Sequence, residues 1–123
     1  MSGSRVAIVD DDLRIRSLLE AELEDLGVST ICCNDGEALM ALVQQQPIDL
    51  ILLDLMMPNK DGLQCLKELQ DLRYSGKVIV VSALSDDLKR SAAMERGASE
   101  YVIKTDIFDK LPAIVERHLP PAA

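Results

Sequence analysis

The stretch Leu50-Ile51-Leu52-Leu53-Asp54-Leu55-Met56-Met57-Pro58 decides how this chain folds. Four apolar residues, Leu50 to Leu53, run straight into one carboxylate, and a loop carrying Pro58 and Gly62 follows. A run that short and that apolar is a strand buried on both faces, the kind found in parallel sheets. Asp54 then emerges at the strand's carboxyl end, the edge where open α/β sheets bind ligands.

Working outward, the same grammar repeats. Arg5 to Val9 is an apolar run that meets Asp10-Asp11-Asp12, and Ile15, Leu18, Leu19, Leu23 and Leu26 then recur at helical spacing up to Gly27. Val28 to Cys33 reads as a second strand and Glu37 to Gln46 as a short helix that Pro47 ends. Leu63, Leu66 and Leu69 mark a third helix, ending near Ser75-Gly76. Lys77 to Val81 leads into Ser82, Asp86 to Arg96 is a helix with a thin apolar face of Leu88, Ala92 and Met94, and Ser99 to Ile103 ends at Lys104. Leu111, Ile114, Val115, His118 and Leu119 form one stripe of a last helix, with Pro112 expected in its first turn. Strict alternation of strand and helix implies a parallel sheet with helices on both faces. The expected organisation is one domain over 5–119, with 1–4 an N-terminal extension or expression remnant and 120–123 a tail or the start of a linker.

Composition narrows the function. The 123 residues carry a net charge of −8, which repels nucleic-acid backbones and anionic lipid, so direct nucleic-acid or membrane binding is not expected. No apolar run approaches the ~18 residues of a membrane span, and the N-terminus lacks the apolar core of a signal peptide, so a cytoplasmic location is expected. Cys32, Cys33 and Cys65 have neither paired nor metal-ligand spacing, and packing in the core is expected of all three.

In a parallel sheet all carboxyl ends share one edge. That gathers Asp10 and Asp11, Asp54, Ser82 and Lys104, each the first polar residue after an apolar run. Three carboxylates brought together repel unless a cation joins them, and one lysine does not neutralise three charges. Oxygen ligands with open water positions suit Mg2+, with Mn2+ as a substitute. Such a cation, an ammonium, a hydroxyl and one carboxylate nucleophile suit phosphoryl transfer, with Asp54 forming an acyl phosphate.

Together, Asp10-Asp11-Asp12, the D-x-x-M-P-x-x-D-G motif from Asp54 to Gly62, Ser82 and the Tyr101-to-Lys104 run closely resemble the receiver (phosphoacceptor) domain of two-component response regulators, over Arg5 to Leu119. The resemblance implies a flavodoxin-like three-layer α/β sandwich with a five-stranded sheet in the order 2-1-3-4-5. It makes Asp54 the phosphoacceptor, with Asp10, Asp11, Asp54 and the Met56 backbone carbonyl around Mg2+. Ser82 and Lys104 would stabilise the phosphoryl group, and Ser82 and Tyr101 would form the switch, Tyr101 turning inward as Ser82 swings toward the phosphate. Met56 and Leu84 fall at positions that govern phosphate lifetime; both are apolar, which implies slow self-dephosphorylation. The implied partners are a sensor histidine kinase or histidine phosphotransfer protein, a downstream protein or attached output domain, and a second copy in a phosphorylation-dependent homodimer. The implied role is an acceptor that promotes its own phosphorylation and dephosphorylation, not an enzyme acting on others. Most members have proline where this chain has Thr105, so the loop beyond Lys104 should differ.

Three rivals remain at this level. Asp10-x-Asp12 mimics the nucleophile and acid of haloacid-dehalogenase-type phosphatases, although a late acidic pair is missing. A flavodoxin-like nucleotide or flavin binder would need a phosphate loop after the first strand, and none is present. A docking pseudo-receiver would not need the intact acidic site.

Overall fold

The structure, a computed structural model, describes residues 4–58, 60–83 and 85–119. Five strands, β1 (Arg5–Val9), β2 (Ser29–Cys33), β3 (Leu50–Asp54), β4 (Lys77–Ser82) and β5 (Glu100–Ile103), form one sheet in the order β2-β1-β3-β4-β5. Every pairing is parallel. The helices are α1 (Leu13–Asp25), α2 (Gly36–Gln45), α3 (Gly62–Asp71), α4 (Asp87–Glu95) and α5 (Ile107–His118). The parallel α/β architecture is the one the alternation of strand and helix implies, and the strand order is the one the family resemblance implies.

Strand alternation divides the core in two. Val6, Ile8, Leu50, Leu52, Ile79, Val81 and Val102 face α1 and α5, which contribute Leu19, Leu23, Ile107, Leu111 and Ile114. Ala7, Val9, Ile51, Leu53, Val78, Val80 and Tyr101 face α2, α3 and α4. All five residues of β3 are buried, as its central place between β1 and β4 requires.

Each of the first four helices begins at an aspartate whose carboxylate accepts a backbone N–H from the first turn: Asp12, Asp35, Asp61 and Asp86. Caps of this kind are worth about 1 kcal/mol each. Gly27 and Gly97 follow α1 and α4 with φ of 80° and 96°, the left-handed conformation that lets glycine end a helix.

Several expectations need correction. A 3-10 turn, Lys104–Asp106, leads directly into α5, which begins at Ile107 and not near Leu111. Ile107 is fully buried and extends the stripe of Leu111 and Ile114 by one turn. Pro112 therefore lies inside the helix, where it cannot donate to the Phe108 carbonyl. In α4 the inward residue is Ala93, whereas Leu88 is 83% exposed and Met94 45% exposed, so the apolar face expected there points outward. In α1, Leu18 is likewise exposed, and Leu26 lies beyond the helix end. Cys33 and Cys65 are buried but Cys32 is exposed, because alternation on the edge strand β2 turns it out. Ser4 is buried against the domain although it was assigned to the extension. The 1–3 and 120–123 segments, with the tail assigned to the latter, lie outside the described residues.

Candidate phosphoacceptor site

Register determines the neighbours at the sheet's carboxyl edge. Val9 pairs with Leu53, so Asp10 and Asp54 leave adjacent strands side by side; Asp54 pairs with Val81, and Ser82 with Ile103. Carboxylate oxygens of Asp10, Asp11 and Asp54 lie within 4.8 Å of one another. Asp10 and Asp54 are buried and Asp11 is exposed, so the cluster has two walls and one open side.

Lys104 joins the two buried acids. Its Nζ is 2.9 Å from Asp10 Oδ2 and 3.3 Å from Asp54 Oδ2. The other oxygens are also engaged: Asp12 N–H donates to Asp10 Oδ1 at 2.9 Å, and Met56 N–H donates to Asp54 Oδ1 at 3.1 Å. The latter bond makes the chain turn immediately after β3. Gly62 N–H donates back to the Leu55 carbonyl at 3.0 Å. A Cβ on Gly62 would lie 2.7 Å from the Asp54 carbonyl oxygen, so glycine is needed for this close approach.

The charges are in tension. Burial pushes the Asp54 carboxyl from 3.8 up to about 6, the Met56 N–H opposes this, the Asp10 charge adds to it, and Lys104 opposes it. Burial by itself would lower Lys104, but its hydrogen bond to Asp10 and the charges of both aspartates hold the ammonium above its usual range. A pocket that disfavours its own central carboxylate, with three hard oxygen donors in reach of one point, fits a divalent cation.

Ser82 is fully buried at the end of β4. By alternation it shares the face of Tyr101 and α4, whereas Asp10 and Asp54 continue the α1 and α5 face. Tyr101 is already turned into the core, and the Arg90 guanidinium of α4 lies 4.8 Å from its ring centroid. The inward rotation expected on phosphorylation is therefore not a movement left for this ring to make from the conformation described. Met56 is exposed beside the site, and Leu84, the other lifetime position, lies outside the described residues. Asp12 points away from the cluster: its carboxylate caps α1 and pairs with Arg14. His118 bonds Glu100 at 2.5 Å, at the far end of α5.

Two residues at the site escaped the sequence reading. Arg16 donates from Nη1 to the Asp10 carbonyl at 2.6 Å. Asp12 as cap places residue 16 one turn into α1, with its side chain leaning back toward the N-terminus, but the sequence does not say which carbonyl it reaches. Arg90 over Tyr101 required knowing which face of α4 is turned inward.

Comparison with known proteins agrees with this geometry. Residues 6–116 match the response regulator receiver domain. The chain is 38% identical over 105 residues to the transcriptional regulatory protein AruR of Pseudomonas aeruginosa, covering 81% of this chain and 43% of AruR. It is 35% identical to the transcriptional regulatory protein CpxR of Klebsiella pneumoniae, covering 93% of this chain and 50% of CpxR. The chain thus spans about half the length of these curated relatives. Among solved structures, response regulator TrrA from Thermotoga maritima, in complex with Mg(2+)-BeF, is similar with a TM-score of 0.83 at 32% identity, covering 93% of this chain and 97% of TrrA. The chain belongs to the family of response regulator receiver domains, and Asp10, Asp11 and Asp54 form its phosphoaccepting acidic pocket.

Proposed function

We propose that Asp54 is the residue that accepts the phosphoryl group, from a phosphohistidine of a sensor kinase or histidine phosphotransfer protein. An Asp54 carboxylate oxygen bonds to phosphorus as the nitrogen–phosphorus bond breaks, and the electron pair returns to the donor imidazole. The observation that carries this reading is Lys104 bridging Asp10 and Asp54 beside an open, exposed Asp11. Asp10, Asp11, Asp54 and the Met56 carbonyl would hold Mg2+, or Mn2+, which offsets charge on the phosphoryl oxygens when bound. Lys104 offsets more of that charge, and the Ser82 hydroxyl, at the end of the neighbouring strand β4, would swing toward the phosphoryl group and donate to it. The acceptor thereby promotes its own phosphorylation and, with water, its own dephosphorylation.

The signal leaves through the surface formed by α4, β5 and α5, with Ser82 and Tyr101 on its α4 side. Moving a two-state element from 1:99 to 99:1 takes about 5.5 kcal/mol, more than one ordinary hydrogen bond supplies. The metal, Lys104 and Ser82 must therefore act together. The readout is a downstream protein, an attached output domain or a phosphorylation-dependent homodimer. No helix among the described residues is long and apolar enough to cross a membrane, and a kinase-coupled receiver of this charge works in the cytoplasm.

The test is the position of the acyl phosphate. After reaction with phosphoramidate and Mg2+, hydride trapping and peptide mapping should place it at Asp54. A label on Asp10 would instead favour a haloacid-dehalogenase-type phosphatase.

A further inference from the structure

We infer that Arg16 is a positioning residue for the metal pocket: by holding the Asp10 carbonyl from α1, it sets the peptide unit that aims Asp11 at the cation. The inference rests on the Mg2+-dependent reading above. The Asp10 C=O and the Asp11 N–H belong to one planar peptide unit, so fixing the oxygen fixes the start of Asp11. Asp10 is otherwise tied through its N–H, which donates to the Cys33 carbonyl at 3.2 Å, and through its carboxylate, which meets Asp12 N–H and Lys104. Those contacts hold Asp10 itself. The 2.6 Å bond from Arg16 Nη1 holds the link between Asp10 and Asp11.

Asp11 needs such a hold. Its side chain is exposed, unlike those of Asp10 and Asp54, so packing does little to orient it. Arg16 is half-buried, lining the crevice between α1 and the end of β2 with Glu20, Cys33 and Asn34. The donor is a guanidinium and the acceptor a buried carbonyl, so the bond is charge-assisted. Groups that orient metal ligands from one bond away commonly change metal affinity 10- to 100-fold when removed.

The experiment is an Mg2+ titration of wild type, Arg16→Met and Arg16→Lys, followed by amide NMR shifts of residues 10–12 and 54–57. Metal-free melting is measured in parallel. Arg16→Met should weaken Mg2+ binding by about tenfold while its metal-free melting stays close to wild type, and Arg16→Lys should restore most of the loss. Wild-type affinity in Arg16→Met overturns the inference, as does a loss that Lys fails to restore at all. If Arg16→Met does not fold, the wild-type Arg16 guanidinium resonances decide: slow proton exchange and a shift on adding Mg2+ support the role, and neither one overturns it. Failure of the wild type to bind Mg2+ at all would overturn the metal reading, and this inference with it.

Discussion

Asp54 must be ionised to act as nucleophile, yet it sits where ionisation is disfavoured. Its carboxyl is pushed from 3.8 up to about 6, chiefly by burial. A carboxyl raised in the fold favours folding when protonated, so its penalty is full above about 6 and disappears below about 4. Asp54→Asn should therefore stabilise the metal-free protein at pH 7 by on the order of 1–3 kcal/mol. The advantage should shrink as pH falls from 6 toward 4, and thermal unfolding in EDTA measures it. A less stable Asp54→Asn at pH 7 would contradict the electrostatic account. Met56 makes a second prediction at this scale: an exposed apolar side chain beside the site cannot hydrogen-bond an attacking water. Wild-type phosphoprotein should decay slowly and Met56→Asn faster, read by intact mass over time. Wild-type decay within seconds that Met56→Asn fails to accelerate would rule this out.

At the scale of elements, the turn after β3 and the face of α4 matter most. Gly62→Ala puts a methyl 2.7 Å from the Asp54 carbonyl and the Leu55 Cα, both backbone atoms that cannot swing aside. It should cost about 1–3 kcal/mol, the range for overpacking, and weaken Mg2+ binding because the shift falls on the loop bearing Met56. Unchanged melting and unchanged Mg2+ affinity would show that the approach is looser than described. Ser82→Ala should leave Asp54 able to be phosphorylated but blunt the response of α4; an unaltered phospho-dependent NMR shift pattern on α4 would refute it. The elements also show where the sequence was legible. Unbroken apolar runs marked β1, β3 and β4, because strands buried on both faces leave no ambiguity of period. The face of α4 was misassigned because small alanines pack inward while Leu88 remains exposed, so hydrophobicity pointed the wrong way. The start of α5 was missed because proline suggests a first turn, whereas buried Ile107 draws the helix back to the 3-10 turn.

At the scale of the molecule, parallel topology is what converts scattered polar residues into a site. Asp10, Asp54 and Ser82 were legible because each interrupts an apolar strand, and parallel strands bring such interruptions to one edge. Arg16 was not, because nothing in a helix sequence says which carbonyl a long side chain will reach. The state of Tyr101 was not legible either, since the Arg90 guanidinium over its ring comes from α4 and not from its own strand. The central claim, covalent capture of phosphate by Asp54, is tested most directly by intact mass. Wild type and Asp54→Ala are incubated with phosphoramidate, with Mg2+ and with EDTA. Wild type should gain one phosphoryl group with Mg2+ and little with EDTA, and Asp54→Ala none. A phosphoryl group on Asp54→Ala equal to that on wild type would contradict the claim.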